Sequence, residues 1–244
     1  MKIAVMGYGT IGSGVVEVLR INKEKIAKRA GEPVEVKYIL DLREFPGDPM
    51  EDAIVHDYQT IVNDPEIGIV VETMGGVEPA YTFVKAMLEA GKQVTTSNKN
   101  LVAAKGAELI KIAREHGVNF QFEASVGGGI PIIKSLREGL VGNRINKIYG
   151  ILNGTCNYIL TRMERDQADF KEVLADAQKL GYAEANPSLD IDGFDTAHKA
   201  TIAASLAYGN WFGMDPVYVE GITEISLDEI KLTNELGYKI KLLA

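Results

Sequence analysis

The stretch KIAVMGYGTIGSGVVEVL, residues 2–19, decides the fold of this chain. It begins with a short, mostly apolar run that is typical of a buried strand. Three glycines follow with the spacing Gly7-x-Gly9-x-x-Gly12. Beyond them, apolar side chains recur near helical spacing. A strand, a glycine turn and a helix in this order predict the first unit of a parallel sheet.

The glycine spacing predicts that this turn binds a dinucleotide. Gly7 permits a tight turn, Gly9 lets the backbone approach a pyrophosphate, and Gly12 lets helix and strand pack closely. The helix N-terminus supplies N–H donors and a partial positive charge. The alternative is a tight turn that binds nothing, but the strand before and the helix after favour a nucleotide. The predicted cofactor contacts in the loop are Gly7, Tyr8, Gly9, Thr10, Ile11 and Gly12.

Strands and helices continue to alternate up to about residue 125. The predicted strands are 34–40, 67–72, 92–97 and 118–123, and the predicted helices include 78–91 and 100–117. This alternation predicts an α/β fold with a Rossmann-type, doubly wound parallel sheet over residues 1–130. It ends at the glycine-rich turn SVGGGIP, residues 125–131.

A second domain of different organisation is predicted over residues 131–244. It should contain a strand at 145–152 and helices at 154–165, 169–180, 194–208 and 227–235. This mixture predicts an α+β domain. The sequence stops within the apolar segment YKIKLLA (238–244), so we expect this domain to be either truncated at its C-terminus or shortened.

Composition narrows the class of function. The chain is 46% hydrophobic and 25% charged with a net charge of −8, which argues against nucleic acid or an anionic membrane as a partner. No apolar run approaches the roughly 18–20 residues of a membrane span, and the N-terminus lacks the features of a signal peptide. Cys156 is the only cysteine. We therefore expect a cytoplasmic protein with a small-molecule substrate.

The end of the second strand is expected to select the cofactor. A carboxylate at Asp41 would accept hydrogen bonds from a ribose 2′-hydroxyl and repel a 2′-phosphate. Arg43, two residues on, could instead pair with that phosphate. The choice between NAD and NADP stays open, with a slight preference for NAD.

Lys99 and Thr73 are expected at the ligand-binding edge of the sheet. Each follows a strand, and ligands of open α/β sheets bind outside the carboxyl ends of the strands. The alternative for Lys99 is a surface lysine in the first turn of a helix. That position is unfavourable for a cation because the positive end of the helix dipole is near.

A second candidate site lies in YAEANPSLDIDGFDTAHKATIAASLAYG, residues 182–209. Asp195 and Lys199 lie four residues apart on one helical face that continues through Ile202 and Leu206. The alternative is an exposed ion pair worth about 0.3–0.5 kcal/mol. A charged pair at the start of an apolar face is more often a functional site. The roles of the preceding carboxylates stay open, namely Glu184, Asp190 and Asp192.

Neither Cys156 nor His198 is favoured as a catalytic group. Cys156 begins a helix, which lowers a thiol pKa, but no histidine lies near it in sequence to act as a base. His198 lies on a different face of its helix from Lys199, so a structural role is expected. Interconversion of a carbonyl and an alcohol needs only a hydride and a proton donor, which Lys199 or Lys99 could provide.

Five motifs together resemble homoserine dehydrogenase over essentially the whole chain. They are GYGTIGSGVVEVL, TSNKNLVA, EASVGGGIPII, NGTCNYILTRM and GYAEANPSLDIDGFDTAHKATIAASLAYG. The resemblance implies NAD(P)-dependent interconversion of L-aspartate 4-semialdehyde and L-homoserine, on the route to threonine and methionine. It also implies that the second domain is catalytic and forms a homodimer. The last motif is the most specific.

The resemblance also implies roles for individual residues. Lys199 would be the proton donor, Glu184 and Asp195 would bind substrate, and Lys99 would lie beside the nicotinamide. Thr73 and Gly181 match cofactor-contacting positions. A monovalent cation, sodium or potassium, would be held by the residues that match the family's loop: Glu123, Val126, Gly128 and Ile130.

Two positions depart from the family pattern. Asn186 stands where an aspartate is usual, and Leu40 stands where many NADP-using members have arginine. The family's chains also continue beyond this length and return to complete the nucleotide domain. Rival interpretations are therefore a non-catalytic NAD(H)-binding fragment or sensor, and a reductase of another amino-acid semialdehyde.

Overall fold

Six parallel strands form the sheet of the first of two units in the computed structural model, which describes residues 1–244. The units are Met1–Ile133 and Lys134–Ala244. None of the helices is both long and apolar enough to cross a lipid bilayer.

The strand order confirms the predicted doubly wound sheet. The strands are β1 (Lys2–Met6), β2 (Glu35–Leu40), β3 (Ile54–Val55), β4 (Ile67–Glu72), β5 (Gln93–Thr96) and β6 (Phe120–Gln121). They lie in the order β3-β2-β1-β4-β5-β6, and every pair is parallel. The order reverses between β1 and β4. Ligands of such sheets bind at this reversal, outside the carboxyl ends of the strands.

Burial on both faces explains why β1 reads as a continuous apolar run. Its residues from Ile3 to Met6 are almost completely buried, and β2 and β4 flank it on either side. The helices of this unit are α1 (Thr10–Ile21), α2 (Lys23–Ala30), α3 (Tyr58–Asn63), α4 (Ala80–Glu89) and α5 (Lys99–Glu115). The short α6 (Ile132–Lys134) follows at the boundary of the units.

Two details of the first unit differ from the pattern expected. The helical region after the glycine loop is divided at Asn22, which ends α1 and precedes α2. The elements β3 and α3 were not predicted. They are too short for a periodic pattern, and the cap Asp57, which accepts a bond from the Gln59 N–H at 2.9 Å, marks α3 more clearly than its hydrophobicity does.

The second unit is largely helical. Its helices are α7 (Gly154–Asp166), α8 (Phe170–Lys179), α9 (Ser188–Ile191), α10 (Phe194–Tyr208) and α11 (Leu227–Glu235). Cys156, Ile159, Leu160 and Met163 of α7 form the centre of its core. This face of α7 packs against α8 and α11. The helix α7 also contacts α9, so it lies near the acidic segment 188–195.

No regular strand forms where residues 145–152 predicted one. Gly150 and Ala244 exchange backbone hydrogen bonds of 3.1 and 2.9 Å, but no strand or ladder forms along the segment. Tyr149 and Ile151 are exposed. Alternating apolar residues predict a strand only when a partner pairs with the backbone along its length, and one residue pair does not provide that.

Candidate active site

Backbone geometry builds the glycine loop between β1 and α1. Gly7 has a φ of +95°, and its N–H donates to the Leu40 carbonyl oxygen at 2.8 Å. A Cβ on Gly12 would lie 1.9 Å from the Gly7 oxygen and 2.9 Å from Thr73 Oγ1, so only glycine fits there. A Cβ on Gly9 would meet nothing within 4 Å. The loop is therefore tightly packed against the sheet yet open before the N-terminus of α1, as an anion site requires.

Asp41 and Arg43 are paired with each other. Asp41 accepts two side-chain bonds from Arg43, each 2.9 Å long, and one of 2.8 Å from the Tyr8 N–H. The Arg43 guanidinium holds the pKa of the Asp41 carboxyl well below its usual range. The sequence presented the two residues as rival selectors of the cofactor. In the structure they form an ion pair in which the positive charge of Arg43 offsets the negative charge of Asp41.

A cavity of about 370 Å³ opens beside this pair. Met74, Pro79 and Phe83 give it an apolar wall, while Asp41 and His56 contribute polar groups. His56 Nδ1 lies 2.6 Å from the Asp41 carbonyl oxygen and therefore donates to it. That bond raises the pKa of His56. The cavity suits a planar ring that carries a polar edge.

Glu72 is a buried carboxyl group that the sequence pattern did not reveal. It accepts the Met74 N–H at 2.7 Å and also hydrogen-bonds to the Thr96 hydroxyl. Thr96 Oγ1 accepts the Asn98 N–H at 2.8 Å, and Asn98 caps α5. Burial raises the pKa of Glu72. These bonds fix the start of α5, where the half-buried Lys99 is the first residue. An isolated glutamate at the end of an apolar run gives no local sign of this role.

Asp195 and Lys199 form a buried ion pair on α10. Lys199 Nζ donates to Asp195 Oδ2 at 2.7 Å and to the Leu152 carbonyl oxygen at 2.8 Å. The side chain of Asp195 is 2% exposed and that of Lys199 is 17% exposed. The pair is therefore not the solvated surface pair that the spacing alone allowed.

Asp190 and Asn153 join this pair from other elements. Asn153 Nδ2 donates to Asp190 Oδ1 at 2.7 Å and to Asp195 Oδ2 at 2.8 Å. The sequence left Asp190 undecided and did not single out Asn153. An asparagine before the glycine that opens a helix is a recognisable cap. Its bonds to carboxylates 37 and 42 positions away have no local signal. We call Asn153, Asp190, Asp195 and Lys199 the lysine–carboxylate cluster.

Two glycines hold the turn that carries these carboxylates. A Cβ on Gly221 would lie 2.2 Å from the Ile191 carbonyl oxygen, and a Cβ on Gly193 would lie 2.8 Å from that of Glu220. The Ile222 N–H donates to the same Ile191 oxygen at 2.7 Å. The segment around residue 221 therefore packs directly on the turn between α9 and α10.

The preceding loop carries Glu184 and Asn186. Glu184 is exposed, and its carbonyl oxygen accepts a bond of 3.0 Å from Gln178 Nε2. Asn186 Oδ1 accepts the Ser188 hydroxyl at 2.8 Å, at the start of α9. The structure thus shows Asn186, whose role the sequence left open, in a local hydrogen bond with Ser188. Gly181 follows the C-cap of α8 and has a φ of +78°.

Cys156 is a poor nucleophile in this environment. It is fully buried, and its Sγ lies 3.1 Å from the Asp190 carbonyl oxygen. Burial, reinforced by nearby carboxylates, raises the pKa of the Cys156 thiol to about 12. A thiol that keeps its proton does not attack a carbonyl.

The loop that follows β6 offers oxygen ligands. Gly128 has a φ of +58°, and Glu123 Oε1 accepts the Ile133 N–H at 2.9 Å. A Cβ on Gly127 would lie 2.7 Å from the Ile130 carbonyl oxygen. No group of three or more His, Cys, Asp or Glu side chains is arranged to hold a metal ion. Any ion held here would therefore rely on carbonyl oxygens.

The parallel sheet with its glycine loop and the lysine–carboxylate cluster define a protein of the dinucleotide-binding class with a second, helical unit. Two family models match the chain: the NAD-binding domain of homoserine dehydrogenase over residues 7–123, and homoserine dehydrogenase over residues 131–244.

Individual relatives agree with the family models. The homoserine dehydrogenases of Pseudomonas aeruginosa and Synechocystis are each 46% identical, and the matches cover 99% and 100% of this chain and 56% and 57% of those proteins. The crystal structure of a homoserine dehydrogenase from Thiobacillus denitrificans is 44% identical, with a TM-score of 0.93 over 100% of this chain and 57% of that one. The chain belongs to the homoserine dehydrogenase family. It spans a little over half the length of these relatives.

Proposed function

We propose that this chain carries out the NAD(P)-dependent interconversion of L-aspartate 4-semialdehyde and L-homoserine. The observation that carries the proposal is the lysine–carboxylate cluster, in which Lys199 is held 2.7 Å from the buried Asp195. Membership of the homoserine dehydrogenase family supports the choice of substrate.

Lys199 is the proposed proton donor to the aldehyde oxygen. An ammonium group has three N–H donors, and two of them are directed at Asp195 and Leu152. The third is available for a carbonyl oxygen. In the reverse direction the same nitrogen takes the hydroxyl proton of homoserine. The two fixed contacts orient the nitrogen, which is the requirement for general acid–base catalysis.

Carboxylates around Lys199 are proposed to hold the substrate. Glu184 is exposed in the neighbouring loop, Asp190 is half-buried and Asp195 is buried. Their negative charges suit the ammonium group that both substrate and product carry. Lys99, fixed at the start of α5, would offset the negative charge that develops on the aldehyde oxygen.

The first unit fits NAD(P), which supplies or accepts the hydride when it is bound. The space before Gly9 and the N–H groups at the start of α1 suit a pyrophosphate. The cavity beside Asp41 and Phe83 suits the adenosine end. Gly181 and Thr73 are proposed as further contacts. Thr73 Oγ1 donates to the Gly7 carbonyl oxygen at 2.9 Å, so it also fastens the loop.

The pairing of Asp41 with Arg43 bears on which cofactor is used. Asp41 alone would repel a 2′-phosphate, but its charge is offset by Arg43, whose side chain is 61% exposed. We propose that both NAD and NADP are accepted. The sequence favoured NAD slightly because it gave no sign that the carboxylate was already paired.

A monovalent cation, sodium or potassium, is proposed for the loop of Glu123, Val126, Gly128 and Ile130. The carbonyl oxygens of these residues form a set of hard, uncharged oxygen donors, which suits an alkali metal ion better than zinc or copper. The Glu123 carboxylate braces the loop by accepting the Ile133 N–H.

We also propose a homodimer and a cytoplasmic location. The second unit exposes large apolar side chains at Val141, Tyr149, Ile151 and Tyr218, and a matching surface on a second copy would cover them. The single cysteine suits a reducing compartment. Sedimentation equilibrium tests the dimer directly.

The decisive experiment is an assay of homoserine-dependent reduction of NAD and NADP. The Pseudomonas aeruginosa enzyme serves as the positive control. Turnover that requires homoserine, and that is absent with other amino-alcohol substrates, supports the proposal. Cofactor binding without turnover of any semialdehyde would identify a non-catalytic binding protein, and turnover of a different semialdehyde would reassign the substrate.

A further inference from the structure

Asn153 is buried at the point where three elements of the second unit meet. It is the N-cap of α7, and its Oδ1 accepts the Cys156 N–H at 2.8 Å. Its Nδ2 donates one hydrogen to Asp190 of α9 and the other to Asp195 of α10. One side-chain amide therefore uses both of its donors and a cap acceptor at once.

The direction of this amide is fixed by its surroundings. If the amide were reversed, its carbonyl oxygen would face two carboxylates, and its NH₂ group would face the Cys156 N–H. Both contacts would be repulsive, and all three hydrogen bonds would be lost. The start of α7 therefore determines where the two donors point.

The neighbouring peptide holds the remaining member of the cluster. Lys199 Nζ donates to the carbonyl oxygen of Leu152, the residue directly before Asn153. Asp190, which is half-buried, and the buried Asp195 carry like charges and would otherwise repel each other. The dipeptide Leu152–Asn153 thus makes contact with every charged group of the lysine–carboxylate cluster.

We propose that Asn153 is a positioning residue for the reaction proposed above. It holds Asp190 and Asp195 together at one amide and so keeps Lys199 aimed at the substrate oxygen. It does not itself meet the reacting atoms. The inference rests on the proposed function for its kinetic consequence, but its structural consequence can be measured without turnover.

Two substitutions separate capping from this bridging role. Serine and aspartate both cap helices as well as asparagine does, so Asn153→Ser and Asn153→Asp should leave α7 intact. Serine removes the double donor without adding charge. Aspartate replaces the donors with a third carboxylate. The control is Asn157→Ser, one turn further along α7, where Oδ1 only accepts from Lys241 at 3.3 Å.

The kinetic measurement is of kcat, the KM for homoserine and the KM for the cofactor, each determined separately. Loss of a hydrogen bond to a charged group should lower kcat/KM for homoserine about 10- to 100-fold in Asn153→Ser, and more in Asn153→Asp. The KM for the cofactor should not change. Asn157→Ser should stay within about twofold of the parent. Equal losses in both KM values, together with a matching fall in melting temperature, would show a general folding role and overturn the proposal.

The unique cysteine gives a readout that needs no activity. Cys156 is buried against the Asp190 carbonyl oxygen, so release of Asp190 should expose the thiol. Labelling by a thiol reagent should be about tenfold faster in Asn153→Ser, a change of about 1.4 kcal/mol in local opening, and unchanged in Asn157→Ser. If the parent protein shows no homoserine turnover, the proposed function fails and labelling alone decides. Labelling at the parental rate in both Asn153 variants overturns the inference.

Discussion

The glycine loop and the lysine–carboxylate cluster hold their chemical groups by opposite means. The conformation of the loop depends on the absence of a side chain, because a single methyl group on Gly12 would collide with the backbone. The geometry of the cluster depends on side-chain groups, because Asn153 and Lys199 donate hydrogen bonds to specific oxygen atoms. The loop should therefore be sensitive to addition of atoms and the cluster to their removal.

The largest effect is expected from Lys199→Ala, which removes the proposed proton donor and leaves Asp195 without its counter-ion. In homoserine oxidation the same nitrogen acts as the general base, and its loss should lower kcat by about 10²–10⁴. Steady-state kinetics at saturating cofactor provides the measurement. Lys231→Ala is the control, because Lys231 is exposed and its ion pair with Asp228 spans 3.8 Å. A kcat for Lys199→Ala within about threefold of the parent would remove the residue from the role.

The next largest effect is expected from adding a methyl group at the loop. Gly12→Ala places Cβ 1.9 Å from the Gly7 oxygen. The resulting shift should weaken cofactor binding about 10- to 100-fold, equivalent to about 1–3 kcal/mol. Gly14→Ala, with no atom within 4 Å of the new Cβ, should instead stabilise α1 by about 0.5–1 kcal/mol. Calorimetry and thermal unfolding test both, and normal cofactor affinity in Gly12→Ala would contradict the packing argument.

A smaller effect is expected from Arg43→Ala, which leaves the charge of Asp41 unbalanced. Because a lone carboxylate repels a 2′-phosphate, the ratio of kcat/KM for NADP over NAD should fall about tenfold. Arg29→Ala, on the exposed end of α2, is the control. An unchanged ratio would show that the pair does not set the preference.

Acid unfolding provides an independent test of the same pair. Arg43 lowers the pKa of Asp41 below its ordinary 3.8. The contribution to stability is therefore present above that ordinary value and is lost as the pH falls toward the folded-state pKa. The parent should lose more stability than Arg43→Ala between about pH 4 and pH 2. Parallel stability curves for the two proteins would contradict the shift.

The smallest effect on activity is expected from Cys156→Ala. Since the pKa of this thiol is raised to about 12, it is protonated at neutral pH and is not needed for chemistry. We expect kcat within about twofold of the parent and a loss of about 1–2 kcal/mol in stability from the small cavity. A loss of kcat beyond tenfold would restore a covalent mechanism through Cys156.

The contrast between the two regions explains what the sequence could predict. The glycine loop is encoded within a dozen residues, so Gly7 and Gly12 reveal the turn and its packing. The spacing of four residues likewise predicts that Asp195 and Lys199 lie on one face of α10. The bonds from Asn153 to Asp190 and Asp195 join distant elements, and only the folded chain brings them together.

Sequence patterns could not predict two other features, because both depend on contacts that form only in the folded chain. Asp41 and Arg43 are close in sequence, but whether they bind each other or a ligand depends on side-chain geometry. Residues 145–152 alternate as a strand should, but a strand also needs a partner along its length, and alternation does not report on partners.

Gly193 and Gly221 meet across the acidic turn with no room for a Cβ on either. A change at one cannot be accommodated by enlarging or shrinking the other, because each collides with backbone rather than with a side chain. Glycine should therefore be required at each position, independently of the other. In a saturation library screened for folded protein, we expect both positions to return glycine even where the side chains around them vary.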